Sequence, residues 1–133
     1  MPDSQAKARV LLVEDDRDIR DTVNEVLEDE GYCVTGAEDG LRALDELRRA
    51  PVLPDLIILD LMMPNMDGFQ FREEQCKDAR YAAIPVAVLS ADANVAEKAA
   101  KLKVAGFMQK PLEVDALLEL VEQALRDGAH GCV

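Results

Sequence analysis

Apolar residues follow two alternating patterns along this chain. Short runs that are apolar at nearly every position are typical of strands covered on both faces. Such runs lie at Val10–Val13, Tyr32–Thr35, Leu56–Leu59, Ile84–Leu89 and, less regularly, Gly106–Gln109. Between them, apolar residues are spaced by three and four positions, which predicts amphipathic helices. The clearest helical series are Ile19, Val23, Val26 and Leu27; Leu41, Leu44 and Leu47; and Val114, Leu117, Leu118, Val121 and Leu125.

Turn-forming residues punctuate the same pattern. Gly31 follows the first helical series, and Pro51 and Pro54 follow the second, as helix ends require. Weaker apolar stripes predict two further helices at Asp67–Ala79 and Asp92–Lys103. The chain is therefore predicted to repeat a strand and a helix five times. Such alternation favours an α/β fold with an open parallel sheet and helices on both faces.

Length and charge narrow the class of protein. The 133 residues suffice for one domain, which we place at 9–126, between an N-terminal extension at 1–8 and a flexible C-terminal tail at 127–133. Lys and Arg number 15 against 27 Asp and Glu, a net charge of −12 that repels phosphate backbones and anionic lipid. We therefore expect no nucleic-acid or membrane partner. Because no apolar run approaches about 20 residues, we expect a cytoplasmic protein.

Polar residues end the predicted strands. In an open α/β sheet, ligands bind beyond the carboxyl ends of the strands, near the point where strand order reverses. The residues at these ends are Glu14, Asp15 and Asp16 after the first strand, Asp60 after the third, Ser90 after the fourth and Lys110 after the fifth. If the first and third strands are neighbours, three carboxylates converge. They would raise each other's pKa unless positive charge joins them.

Each of these residues also has a structural interpretation. Asp16 or Asp18 is suited to cap the first helix, and capping is an equal alternative to function for Glu14 and Asp15. Ser90 alone is compatible with a helix cap, and Lys110 alone with an exposed lysine. Asp60 is different, because apolar residues surround it on both sides. The placement of all these residues together at strand ends favours a functional site over separate structural roles.

The set of side chains suits phosphoryl transfer to a carboxylate. Asp60 would act as the nucleophile. Mg²⁺ prefers oxygen ligands and shares its coordination with phosphate and water. A hydroxyl at Ser90 and an ammonium at Lys110 would neutralise and orient the phosphoryl oxygens.

Four motifs resemble the receiver domain of bacterial two-component response regulators. They are Val10-Leu-Leu-Val-Glu-Asp-Asp16, Leu56-Ile-Ile-Leu-Asp60-Leu-Met-Met-Pro64 with Asp67-Gly68, Val88-Leu-Ser-Ala91, and Gly106-Phe-Met-Gln-Lys110-Pro111. Any one of them would be a weak signal, but their order and spacing together are specific. The resemblance covers about Arg9 to Arg126 and implies a flavodoxin-like (βα)5 fold with strand order 2-1-3-4-5.

The resemblance also implies a role for each matching residue. Asp60 would be the phosphoacceptor, and Ser90 and Lys110 would bind the phosphoryl group. Asp15 and Asp60 would ligate Mg²⁺ directly with the main-chain carbonyl of Met62, while Glu14 would act mainly through metal-bound water. Phe107 falls at the aromatic switch position, with Ser90 as its partner in switching. The Lys110–Pro111 peptide would commonly be cis.

The sequence departs from the family pattern at several positions. Ser90 stands where threonine is commoner, which keeps the hydroxyl. Phe107 lacks the hydroxyl of the frequent tyrosine. The last helix has Arg126 as its only basic residue, and Lys-Val-Ala precedes Gly106. The last two differences weaken the case for the salt-bridged dimer of winged-helix transcription factors, but they leave the phosphorylation site intact.

The leading hypothesis is a stand-alone receiver. A sensor histidine kinase would donate the phosphoryl group in trans, since the only histidine, His130, lies in the tail. The output would be altered affinity for an effector protein, through Val95–Lys103, Phe107 and Glu113–Gln123. Such a protein is no enzyme beyond phosphorylating and dephosphorylating its own aspartate.

Other hypotheses fit less well. A fragment of a larger regulator or hybrid kinase stays open, as does a phosphorylation-independent binding module, although the latter would typically have lost the acidic or lysine residues. A haloacid-dehalogenase-like phosphatase needs an Asp two positions after the nucleophile, where this chain has Met62. A nucleotide or flavin binder would need a Gly-rich loop after the first strand.

Overall fold

The computed structural model describes residues 8–127 and contains a single five-stranded sheet. The strands are β1 (Arg9–Val13), β2 (Cys33–Ala37), β3 (Leu56–Asp60), β4 (Val86–Ser90) and β5 (Gly106–Gln109). All neighbouring pairs are parallel, in the order β2-β1-β3-β4-β5. The predicted α/β class and the strand order 2-1-3-4-5 are therefore confirmed.

Within residues 8–127, six helices connect and flank the strands. They are α1 (Arg17–Asp29), α2 (Gly40–Arg49), α3 (Gly68–Lys77), α4 (Ala79–Ala82), α5 (Val95–Leu102) and α6 (Val114–Asp127). None of the helices within 8–127 is both long and apolar enough to cross a bilayer.

Side chains alternate across the sheet and build two cores. Val10 and Leu12 of β1 face the layer of α1 and α6, whereas Leu11 and Val13 face the layer of α2, α3 and α5. In the central strand β3, every residue from Leu56 to Asp60 is buried. Both faces of the sheet are thus covered, which explains why these strands are apolar at consecutive positions.

Several element boundaries differ from the sequence prediction, and the helix predicted at Asp92–Lys103 spans only Val95–Leu102. Strand β4 begins at Val86 rather than Ile84, and Pro85 has no N–H to give to a ladder. The helix predicted at Asp67–Ala79 ends at Lys77, because Asp78 is extended and caps the separate short helix α4. Strand β2 lies at Cys33–Ala37 rather than Tyr32–Thr35, since Gly36 and Ala37 pair with Leu12 and Val13.

The helix ends agree with the punctuation in the sequence. Asp16 caps α1, accepting hydrogen bonds from the N–H groups of Asp18 and Ile19. Gly31, just after α1, has a φ of 97°, a conformation that favours glycine. Asp67 and Gln70 form a reciprocal capping box at the start of α3. Asp16 and Asp67 thus fix where α1 and α3 begin, after the strands that end in the polar residues.

Candidate functional site

The polar strand ends converge at one rim of the sheet. Register pairs Val13 with Leu59, so Glu14 follows beside Asp60, the last residue of β3. Ser90 ends β4, and its carbonyl accepts the N–H of Lys110 at 2.8 Å. Parallel pairing therefore places all four residues at the carboxyl edge, as predicted.

Three carboxylates form the centre of this rim. Oxygen atoms of Glu14, Asp15 and Asp60 lie within 4.8 Å of one another. Glu14 is fully buried and Asp60 is 2% exposed, while Asp15 is open to solvent. The cluster thus has a closed side within the sheet and an open side from which a ligand can enter.

Lys110 supplies the positive charge inside the cluster. Its Nζ lies 2.8 Å from Glu14 Oε1 and 3.4 Å from Asp60 Oδ2. Within residues 8–127, Glu14 Oε1 has no other hydrogen-bonding partner. The peptide between Lys110 and Pro111 is cis, as the resemblance implied. With all groups ionised, three carboxylates and one ammonium leave a net negative charge, which favours an added cation.

The electrostatics of the cluster are visible in two pKa shifts. Burial and the adjacent Glu14 charge raise the pKa of Asp60 to about 7, although Lys110 acts in the opposite direction. Burial lowers the pKa of Lys110, but contacts with Glu14 and Asp60 outweigh it and raise the pKa overall. Asp60 is therefore destabilised as an anion while Lys110 stays a cation.

The donor set fits a hard divalent cation. All three side chains offer carboxylate oxygens, and the excess negative charge is compensated only in part by Lys110. Mg²⁺ binds through one or two carboxylates and keeps several waters, which the exposed side at Asp15 permits.

Hydrogen bonds hold Glu14 in place, and they show that Glu14 does not cap helix α1. Its N–H donates to Ala37 O at 3.0 Å, and its Oε2 accepts the N–H of Asp16 at 3.1 Å. Arg20 donates from its guanidinium to the Glu14 carbonyl at 2.7 Å. Asp16 is the helix cap, so the capping interpretation fails for Glu14 and Asp15. Arg20 was missed by sequence reasoning, because its position on α1 gives no local signal.

A second set of residues missed by sequence reasoning fixes the loop after β3. Asn65, with a φ of 64°, donates from Nδ2 to Asp39 Oδ2 at 2.8 Å. A Cβ on Gly40 would lie 2.6 Å from Met66 Cγ, so only glycine fits there. Asp39, before the apolar series of α2, carries the sequence signal of a helix cap, but nothing local links it to Asn65.

The same loop begins at Asp60 itself. The N–H of Met62 donates to Asp60 Oδ1 at 3.2 Å, which orients the carboxylate. The Met62 side chain is 60% exposed and takes no part in the core. Met62 thus contacts the cluster through its main chain.

Ser90 and Phe107 occupy different environments. Ser90 is fully buried, and its Oγ accepts the N–H of Asp92 at 3.1 Å. Phe107 pairs in register with Val88 and is 46% exposed. Phe107 therefore lies outside the carboxylate cluster, and it is not a core aromatic. His130 lies outside the described residues.

Comparison with known proteins agrees with this geometry. The model of the response regulator receiver domain matches residues 10–122. Response regulator MprA from Mycobacterium sp. strain KMS is 36% identical over 122 residues, 89% of this chain but 50% of MprA. The chain thus spans about half the length of this curated relative.

Solved structures share the fold. The chemotaxis protein CheY4 of Vibrio cholerae superposes with a TM-score of 0.80 at 32% identity, covering 90% of this chain and 99% of CheY4. NtrX from Brucella abortus, in complex with ADP, gives a TM-score of 0.82 at 31% identity and covers 90% of this chain but 27% of NtrX. Phosphorylation and Mg²⁺ are general features of these two-component signalling modules. Since the family model reaches all five strands and the acidic rim, the chain belongs to the response regulator receiver domain family.

Proposed function

We propose that this protein is a single-domain phosphorylation switch in which Asp60 accepts a phosphoryl group from the phosphohistidine of a sensor histidine kinase. The observation that carries this proposal is the convergence of Asp60, two further carboxylates and Lys110 at one edge of the sheet. A structural role alone gives no reason to gather three carboxylates where two of them are buried.

The transfer itself is a substitution at phosphorus. An ionised Asp60 oxygen bonds to phosphorus as the phosphorus–nitrogen bond to the donor's imidazole breaks, and the released imidazole nitrogen keeps the electron pair. Reversal of the switch is hydrolysis, in which water adds at phosphorus and the bond to Asp60 breaks, releasing inorganic phosphate. Since Asp60 must be ionised to attack, its raised pKa couples the reaction to removal of its proton.

Neighbouring side chains orient the phosphoryl group. Lys110 Nζ, already 3.4 Å from Asp60 Oδ2, is placed to donate to a phosphoryl oxygen. Ser90, on the adjacent strand, supplies the hydroxyl for another. Catalysis of this kind is mostly positioning and charge stabilisation, which these two groups provide.

Asp15, Asp60 and the Met62 carbonyl are the proposed direct ligands of Mg²⁺, with Glu14 acting mainly through bound water. When bound, the ion supplies positive charge that offsets the repulsion between the acidic rim and an incoming phosphoryl group.

An apolar groove beside the site suits the kinase as its occupant. It has a volume of about 270 Å³ and runs between Ile19, Thr22 and Val26 of α1 and the segment from Pro111 to Val114. Because Lys110 lies in its wall, a partner seated there would have its phosphohistidine next to Asp60. An exposed apolar groove beside a reactive centre is typical of a partner surface.

The proposed output surface consists of α5, β5 and α6. Phe107 presents a half-exposed ring there, while α5 carries the basic Lys101 in its last turn and α6 the acidic Asp115 in its first. Such mixed charge favours a protein effector over nucleic acid or a membrane. This output surface is separate from the phosphorylation site, and the coupling we propose between them is movement of the segment between β4 and α5.

The test is phosphorylation of the purified chain by acetyl phosphate with Mg²⁺, followed by intact mass. We expect a gain of one phosphoryl group in the wild type and none in Asp60→Asn. Asp16→Asn is the matched control, because asparagine caps helices as well as aspartate. A phosphoryl group on Asp60→Asn would refute Asp60 as the acceptor, and its absence from the wild type would favour a phosphorylation-independent binding module.

The alternative is that the chain is the receiver part of a larger regulator or hybrid kinase. This chain matches only 50% of MprA, which favours the alternative. It matches 99% of CheY4, which favours a single domain. An antibody against the purified chain distinguishes them in extracts of the native cells. A band at the mass of 133 residues supports the single domain, and a larger band contradicts it.

A further inference from the structure

A chain of contacts leads from the buried hydroxyl at the rim to the outer helix α5. Ser90 Oγ accepts the N–H of Asp92 at 3.1 Å. Asp92 in turn accepts the N–H of Asn94 at Oδ1, 2.8 Å away, and forms an ion pair with Lys98 through Oδ2. The Lys98 and Asp92 side chains are about one-third exposed. A partly exposed ion pair between the loop and α5 therefore connects the helix to Ser90 through Asp92.

The two ends of α5 are held very differently. At the C-terminal end, the guanidinium of buried Arg72 donates to the carbonyls of Leu102 and Lys103, at 3.2 and 3.0 Å. At the N-terminal end, Asn94 provides no side-chain cap. The buried contacts fix the far end of the helix, and the Asp92–Lys98 pair ties the near end to the loop at 91–94.

Engagement of a phosphoryl group by Ser90 must disturb this near end. When Ser90 Oγ moves toward a phosphoryl oxygen on Asp60, the N–H of Asp92 loses the geometry of its present hydrogen bond. The loop then has to shift, and the Asp92–Lys98 pair resists that shift because it joins the loop to a helix anchored at its other end. The pair therefore stabilises the unphosphorylated arrangement.

We propose that Lys98 is a positioning residue that acts through Asp92 to hold Ser90 away from the phosphoryl-binding arrangement. Release of the pair, by mutation or by a carboxylate of an effector that takes over Lys98, favours the phosphorylated state. By reciprocity, phosphorylation makes Lys98 more available to that carboxylate. This inference rests on the proposed phosphorylation of Asp60.

The test uses beryllofluoride with Mg²⁺ as a phosphoryl mimic and measures its affinity for the full chain. We expect Lys98→Ala to bind beryllofluoride about fivefold more tightly than the wild type, a modest coupling. Lys98→Arg keeps the charge and should restore wild-type affinity. Lys101→Ala, on an exposed residue of the same helix, is the matched control and should behave as the wild type.

A double-mutant cycle separates positioning from general loosening of the fold. Asp92→Asn keeps an oxygen for the Asn94 N–H but loses the ion pair, so it should tighten binding as Lys98→Ala does. Because both variants break the same ion pair, the double variant should show no further gain in beryllofluoride affinity. Additive effects, or wild-type affinity in Lys98→Ala, would overturn the role of Lys98. Failure of the wild type to bind the mimic, or equal binding by Asp60→Asn, would instead overturn the proposed function on which it rests.

Discussion

Lys110 Nζ lies closer to Glu14 Oε1, at 2.8 Å, than to the proposed phosphoacceptor Asp60, at 3.4 Å from its Oδ2. The fully buried Glu14 thus holds the ammonium beside Asp60 without placing it directly on the Asp60 carboxylate. The arrangement leaves Asp60 poorly compensated as an anion, which agrees with its raised pKa. The stability of the protein should therefore depend on the charge of Asp60.

We predict that Asp60→Asn stabilises the metal-free protein at alkaline pH. Burial and Glu14 raise the pKa of Asp60 to about 7 from an ordinary value of 3.8. Protonation of Asp60 therefore stabilises the folded protein. This stabilisation is complete below pH 3.8 and is lost as pH rises through 7. At pH 8, where Asp60 is ionised in both the folded and the unfolded protein, the gain in free energy of unfolding should be largest, on the order of a few kcal/mol at most. Urea unfolding in EDTA across this range is the measurement, and a gain that is equally large at pH 3.8 would contradict the electrostatic cause.

Neighbouring aspartates should differ in their effect on metal binding. Asp15 contributes an oxygen to the cluster, whereas Asp16 caps α1. Asp15→Ala should weaken Mg²⁺ binding by about tenfold or more. Asp16→Asn should leave Mg²⁺ affinity unchanged, as measured by calorimetric titration. Equal loss in the two variants would mean that the metal ligand is misplaced by one residue.

Phosphorylation should move Phe107. Its ring is 46% exposed, and it lies opposite Val88 in the strand that ends at Ser90. A shift of Ser90 toward Asp60 would open space beside β4 into which the ring can turn. We expect beryllofluoride with Mg²⁺ to change amide chemical shifts at Phe107 and along α5, but not in Asp60→Asn. Changes confined to the acidic rim would make α1 the next candidate for the output surface.

The buried Arg72 should contribute strongly to stability. Its guanidinium donates to Gln75 Oε1 at 2.9 Å and to two carbonyls at the end of α5. Arg72→Met removes the donor to the buried Gln75 Oε1 and the two part-buried bonds to α5, at a cost of about 3 kcal/mol in free energy of unfolding. Arg80→Met removes an exposed arginine paired with Asp78 and should cost less than about 1 kcal/mol. Similar losses in urea unfolding would contradict the importance of this network.

Much of the fold follows from local pattern. Consecutive apolar residues in β1 and β3 predict strands covered on both faces, and the structure buries them in two cores. The position of Asp60 after such a run predicts the rim of the site. These features can be read from sequence because strand and helix periodicities, and the polar residue that ends a strand, are properties of adjacent positions.

Contacts between distant residues were decided by tertiary structure alone. The sequence could not show that Arg20 holds the Glu14 carbonyl, that Asp39 binds Asn65, or that Arg72 anchors α5. Likewise, exposure of Phe107 depends on the register of β5 against β4 and on what α5 and α6 leave uncovered. The physical reason is that a hydrogen bond or ion pair requires two groups within about 3 Å, and parallel register and helix packing set that distance.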